Sequence, residues 1–261
     1  MKYIILLILF LYIIYLFQNK YSNFIPYKSN LPGLNLNKNI AIIFPYRDQK
    51  EQKREEQLNN ILSYYKNINN PNIDIFIIEQ ANDKLFNKGT LLNIGHKIIS
   101  SKNKYQNEIH HDIDMLPDNE RIKYFFNDNV IACKINNKKY NGSSNFVGGI
   151  LSIPLNIMDQ INGYSNNFWG WGREDDNLYK RLYAQQIKIY RPNKGNVTEI
   201  EHIKANKLYI NDNFKNNYDN NSITHRNELK NGFNSGLSDL SYDIINKEII
   251  ANNIIKYSVT F

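Results

Sequence analysis

The sequence predicts an α/β fold with a mixed, mostly parallel central sheet, and three stretches carry that prediction. Ile40-Ala41-Ile42-Ile43-Phe44 is a short continuous apolar run ended by Pro45, the pattern of a strand buried on both faces. Glu51 to Tyr65 is helix-like, and Ile73-Asp74-Ile75-Phe76-Ile77-Ile78 is a second strand. Strand, helix and strand in that order imply a right-handed βαβ unit. The 261 residues, 42% of them hydrophobic, suffice for one globular unit with a sizeable core after a short N-terminal segment.

Composition removes several function classes. The net charge of +7 comes from scattered lysines, without a tract of Lys/Arg interleaved with aromatics, so nucleic acid is not an expected partner. The single cysteine, Cys133, excludes an intrachain disulfide and a thiolate metal cluster, and in Val130-Ile131-Ala132-Cys133 it reads as a small buried hydrophobe. Tyr3 to Phe17 is apolar and uncharged. As a helix it would span about 22 Å, short of a ~30 Å hydrocarbon core, but flanking lysines can snorkel. With no small-x-small cleavage site after Phe17, residues 1–20 are expected to be an uncleaved signal-anchor; residues 21–38, with Pro26 and Pro32-Gly33, read as a stem.

Beyond the first strand, Arg47 follows Pro45 at the carboxyl end, where open α/β sheets bind ligands, and is placed to meet a phosphate or uracil. Gly89 to Ser100 reads as a helix. In His110-His111-Asp112-Ile113-Asp114, an extended backbone would point both aspartates to one side and offer hard oxygens to a divalent cation beside a diphosphate. His110 and His111 are expected to be exposed or capping residues. In Asn167-Phe168-Trp169-Gly170-Trp171-Gly172-Arg173-Glu174-Asp175-Asp176-Asn177, two flat rings, a bendable backbone and three adjacent acids suggest a sugar-binding active site. The acids also open a helix through Leu178, Tyr179, Leu182 and Tyr183, and their mutual repulsion can tune one of them toward a general base. Ile187 to Pro192 is read as a strand, Tyr209 to Lys230 as a polar loop end plus a surface helix, and alternating strands finish the chain.

The Trp-Gly-Trp-Gly-Arg-Glu-Asp-Asp run resembles the signature of the β-1,4-galactosyltransferases, glycosyltransferase family 7. Arg173 is similar to the branch that galactosylates xylose. Pro45-Tyr46-Arg47, Phe86-Asn87-Lys88, Leu91-Leu92-Asn93-Ile94-Gly95, His111-Asp112-Ile113-Asp114, Phe146-Val147-Gly148-Gly149 and Gly236-Leu237-Ser238 match its other motifs in order. Lys88 departs from an arginine, Glu79 from an asparagine and Phe146 from a tyrosine of the family pattern.

The resemblance implies a single GT-A nucleotide-sugar transferase domain over residues 39–261, behind the anchor and facing the lumen of the secretory pathway as a type II membrane protein. It further implies an inverting transfer of galactose from UDP-galactose, with Mn²⁺, to a sugar hydroxyl of a glycan or glycoprotein. Asp175 would be the general base. Glu174, Asp176, Phe146, Gly149 and Trp169 would surround the acceptor, and Pro45, Arg47, Phe86, Lys88, Asp112 and Trp171 the donor. Asp114 and His202 would hold the metal. Family members supply a third ligand three residues before or two after that histidine, positions here filled by Glu199 and Lys204; Glu199 is the plausible hard-oxygen ligand. Two alternatives remain at this stage: a non-catalytic sugar-binding module on the same fold, and a transferase using another acceptor such as N-acetylglucosamine.

Overall fold

The computed structural model describes residues 38–132, 145–192, 194–200 and 212–261. The first strand, β1 (Ile40–Tyr46), is buried along its whole length. Its alternate residues feed two core layers, as a strand covered on both faces requires. Ile40, Ile42, Phe44 and Tyr46 pack against Leu58, Ile61, Leu62 and Tyr65 of α1 (Arg54–Ile68), while Ala41 and Ile43 join the layer that contains Leu91, Leu92 and Ile94 of α2 (Lys88–Ser100). The helix expected from Glu51 starts later because a 3-10 turn over Lys50–Gln52 comes first and Lys53 takes a left-handed conformation before α1.

After β2 (Ile73–Gln80) and α2 come β3 (Asn107–His111), β4 (Met115–Pro117), the short α3 (Asn119–Lys123), β5 (Val130–Ala132), β6 (Ile150–Pro154) and α4 (Leu155–Gln160). The chain continues through α5 (Glu174–Ala184), β7 (Ile189–Tyr190), β8 (Val197–Glu199), α6 (Asp212–Asn231), β9 (Asp243–Ala251) and β10 (Ile254–Thr260). The strand order is β7-β5-β6-β3-β1-β2-β10-β9, with β4 and β8 paired apart. β1 runs parallel to β2 and β3, β2 to β10 and β5 to β7, whereas β3–β6, β5–β6 and β9–β10 are antiparallel. The sheet is therefore mixed and mostly parallel.

Because β2 lies on one side of β1 and β3 on the other, the strand order switches at β1. The crevice past the carboxyl ends of these strands is the place such a sheet offers a ligand. The strand expected over Ile187–Pro192 shrinks to Ile189–Tyr190, a short edge element. The N-terminal anchor and stem, Cys133, His202 and Lys204 lie outside the described residues. Among the described residues no helix is long and apolar enough to cross a membrane.

Candidate active site

Four chain segments converge beyond the sheet switch. β2 leads into a loop that Gln80 organises: its amide accepts from the Asn87 N–H and donates to the Leu85 carbonyl. Asn87 then caps α2 by accepting from the Thr90 N–H at 2.9 Å, which puts Lys88 at the helix start. Its ammonium lies 3.1 Å from Asp112 and 3.3 Å from Asp175. Asp112 directly follows β3 and donates its N–H to the Gly149 carbonyl, and Asp175 sits in the first turn of α5. One cation thus bridges an acid of the second motif to the middle acid of the Glu174-Asp175-Asp176 run.

Gly148 makes this approach possible. A Cβ there would stand 2.1 Å from Asp175 Oδ2, so any side chain would expel the carboxylate. The Phe146 ring closes the same corner, its Cζ 2.8 Å from that Cβ position. Burial is the largest influence on Glu174 and Asp175 and raises both pKa values; the charge of Asp175 adds to the rise of Glu174, to about 7, while Lys88 opposes it. For Lys88, burial alone would lower the pKa, but Asp112 and Asp175 hold it well above its ordinary value, so it stays charged.

The Asp-x-Asp segment is not extended. Met115 donates its N–H to the Asp112 carbonyl at 3.2 Å, closing a turn between β3 and β4 that sends the two carboxylates to different partners. Asp112 goes to Lys88, and Asp114 accepts from Arg54 at 3.0 Å. The β4–β8 ladder sets Glu199 opposite Met115, and the Ile200 N–H donates to the Asp114 carbonyl at 2.7 Å. Two predicted metal ligands, Asp114 just before β4 and Glu199 on β8, are thus brought onto neighbouring stretches of backbone, and His202, the third, lies beyond the described residues. Among the described residues no three His, Cys, Asp or Glu side chains form a cation site. The donor set itself, two carboxylates and an imidazole, suits a hard divalent ion such as Mn²⁺.

The residues expected on the donor side form a second group. Arg47 donates to the Lys84 carbonyl and its guanidinium lies 5.7 Å from the Phe86 ring centre, with Pro45 buried in β1 beside it. Gly170 ties the tryptophan loop to this group by donating to the Phe86 carbonyl at 2.8 Å. Trp169 packs near Phe261 at 5.8 Å, and Lys84 lies 5.5 Å from its ring. Trp171 is exposed and stacks on Tyr218 of α6 at 5.6 Å. Asp176 pairs with Arg173 at 3.0 Å at the exposed rim, and Arg173 also covers Tyr218. Glu79, which departs from the family asparagine, is committed to the sheet: it accepts from Lys256 and from Ser258 on β10.

Several residues that hold the site carry no signal in local sequence pattern. Asn221 of α6 donates to the Trp169 and Gly172 carbonyls, both at 3.0 Å. Arg54 resembled any helix-surface charge, yet it takes Asp114. His110 and His111 are buried, against the expectation of exposed or capping roles. They belong to β3, a central strand, and His111 packs between Phe44 and Tyr65 with burial lowering its pKa to about 4.

Comparison with known proteins gives the family and the fold. A family model described as the N-terminal region of glycosyl transferase group 7 matches residues 32–127, and one described as the N-terminal domain of galactosyltransferase matches residues 130–205. Beta-1,4-galactosyltransferase 4 of Cricetulus griseus is 32% identical over 181 residues, 66% of this chain and 51% of that protein. The xylosylprotein 4-beta-galactosyltransferase of Caenorhabditis elegans is 31% identical over 155 residues, 58% of this chain and 53% of that protein. The chain spans about half the length of these curated relatives. The crystal structure of the catalytic domain of Drosophila beta1,4galactosyltransferase 7 complexed with xylobiose superposes with a TM-score of 0.66 at 26% identity, covering 85% of this chain and 94% of that one. The chain has a GT-A fold and belongs to the β-1,4-galactosyltransferases, glycosyltransferase family 7.

Proposed function

We propose that the chain is an inverting β-1,4-galactosyltransferase that moves galactose from UDP-galactose to the hydroxyl of xylose or a related sugar. The observation that carries this reading is the Lys88 bridge, which joins Asp112 on the donor side to Asp175 on the acceptor side. In the transfer, the acceptor oxygen attacks the anomeric carbon as the bond to the diphosphate breaks on the opposite face, and the hydroxyl proton passes to Asp175. Burial raises the pKa of Asp175 and makes it the stronger base, while Lys88 keeps it oriented. Glu174, with its pKa near 7, shapes the acceptor side together with Asp176, Gly149 and Trp169. Phe146 limits the room beside the donor sugar. Pro45, Arg47, Phe86, Lys88, Asp112 and Trp171 take the nucleotide sugar. Asp114, Glu199 and His202 would hold Mn²⁺, which when bound would supply positive charge to offset that of the departing diphosphate. Residues 1–20 are proposed as a signal-anchor that places the domain in the secretory lumen.

The acceptor is resolved by a parallel assay. A soluble chain beginning near residue 21 is incubated with UDP-galactose and Mn²⁺ and offered a β-xyloside or an N-acetylglucosaminide. Transfer to the xyloside is the expected result; transfer to the N-acetylglucosaminide alone would move the chain to another acceptor class.

A further inference from the structure

Arg54 opens α1, and no step of the transfer uses it. A cation in the first turn of a helix faces the positive end of the helix dipole, a placement that helix stability does not favour. Lys53 caps the same end in a left-handed conformation, so the start of α1 carries two adjacent cations. A contact outside the helix compensates. Arg54 Nη1 lies 3.0 Å from Asp114 Oδ2, 60 residues along the chain, and the two side chains are 20% and 9% exposed.

The guanidinium is held in place for this contact. Its Nε donates to Gln52 Oε1 at 3.3 Å and its Nη1 also donates to Gln57 Oε1 at 3.0 Å. Gln52 lies in the 3-10 turn before α1 and Gln57 in α1 itself, and both are buried. Two buried amides thus orient the planar fork before it meets the carboxylate. Asp114 is fixed from the other side. Its carbonyl accepts the Ile200 N–H at 2.7 Å, and the next residue, Met115, pairs with Glu199 across the β4–β8 ladder. Lys88 plays no part here, because its carboxylates are Asp112 and Asp175.

We propose that Arg54 is a competing cation for the metal site: it occupies the Asp114 carboxylate, and Mn²⁺ binds against it. The role rests on the reading of Asp114 as a metal ligand. Two physical routes give the same sign. If the guanidinium must leave, only the fraction of molecules with the pair open is competent to bind metal, and the apparent affinity falls by that fraction. If it stays, a cation and a dication share one carboxylate in a largely buried place where their repulsion is poorly screened. The pair also has a use before metal arrives. A buried carboxylate is costly without a counter-charge, and Arg54 supplies one to the turn between β3 and β4 whenever the metal does not.

The test is a titration of the full chain with Mn²⁺ alone, without donor or acceptor, read from the electron paramagnetic resonance signal of the free ion. Wild type is compared with Arg54→Gln, Arg54→Lys, Asp114→Ala and the Arg54→Gln/Asp114→Ala double variant. Glutamine keeps a hydrogen-bond donor but no charge, whereas lysine keeps the charge and loses the fork that Gln52 and Gln57 orient. Arg54→Gln is expected to bind Mn²⁺ about tenfold more tightly than wild type, and Arg54→Lys to fall between them. Without metal, Arg54→Gln should melt below wild type, and it should gain more on addition of Mn²⁺. In the Asp114→Ala background the Arg54 substitution should change nothing.

Equal or weaker Mn²⁺ binding in folded Arg54→Gln overturns the proposal, because Arg54 would then support Asp114 rather than compete for it. A gain that persists in the Asp114→Ala background overturns it as well, since the guanidinium would be acting on another group. Should Arg54→Gln not fold, Arg54→Lys decides: it must bind Mn²⁺ more tightly than wild type, and equal or weaker binding sinks the idea. Failure of the metal reading looks different. Absence of Mn²⁺ binding in every variant would remove that reading together with the competition, whereas binding that Asp114→Ala abolishes and Arg54 substitutions leave unchanged overturns the competition alone.

Discussion

Asp175→Asn is expected to lower turnover by about 10²–10⁴-fold while leaving the fold intact, the usual worth of a positioned general base. The amide keeps the shape that Gly148 admits, but it cannot take the acceptor proton. Stability should not fall with activity. The Asp175 pKa is raised by burial, so its ionised form is a liability above that pKa, and a neutral replacement removes the liability. The expected signature is therefore a melting temperature at pH 8 equal to or above wild type, with turnover lost. Near-normal turnover in this variant would remove Asp175 from the mechanism.

The largest expected stability effect lies at Glu228 on α6. Its carboxylate accepts from Arg181 and Asn177, both at 3.0 Å and both on α5, and from Ser165 in the loop before the tryptophans. Arg181 is buried, with further bonds to the Gly163 and Ser235 carbonyls. Glu228→Ala leaves a buried guanidinium without its counter-charge, a change that costs about 3–5 kcal/mol. In a chain of this size that corresponds to roughly 10 °C in melting temperature. Pairing Arg181→Met with Glu228→Leu should restore most of the loss, since an apolar pair of similar volume carries no desolvation cost. The single variant should also raise the KM for sugar substrates, because α6 carries Asn221, the residue that staples the Trp169 and Gly172 carbonyls. A loss below about 1 kcal/mol would contradict this account of how α5 and α6 are joined.

The parts of the fold legible in the sequence are those written in local pattern. β1 and β2 are continuous apolar runs, and the helical spacing after Glu174 shows directly. What local pattern does not carry is the partner of a charge. Lys88 read as a substituted arginine of a donor site, yet its partners lie 24 and 87 residues away. The Asp-x-Asp spacing suggested one extended ligand pair, and the turn closed by Met115 separates the two acids instead. His110 and His111 look like exposed or capping residues for the same reason: two histidines read as surface until Glu108 is seen pairing with His110 and His111 is seen packed against Phe44 and Tyr65. Asn221 and Glu228 sit in an Asn-rich, weakly patterned stretch, and only the docking of α6 on the tryptophan loop reveals their work.

The central claim is that this acid cluster is a metal-assisted donor site. The most direct measurement is release of UDP from UDP-galactose without acceptor, with and without Mn²⁺, for wild type and Asp114→Ala. The account predicts slow hydrolysis that requires Mn²⁺ and disappears in Asp114→Ala. Absence of hydrolysis in wild type, together with unchanged binding of UDP-galactose in Asp114→Ala, would contradict it and leave a sugar-binding domain on a transferase fold.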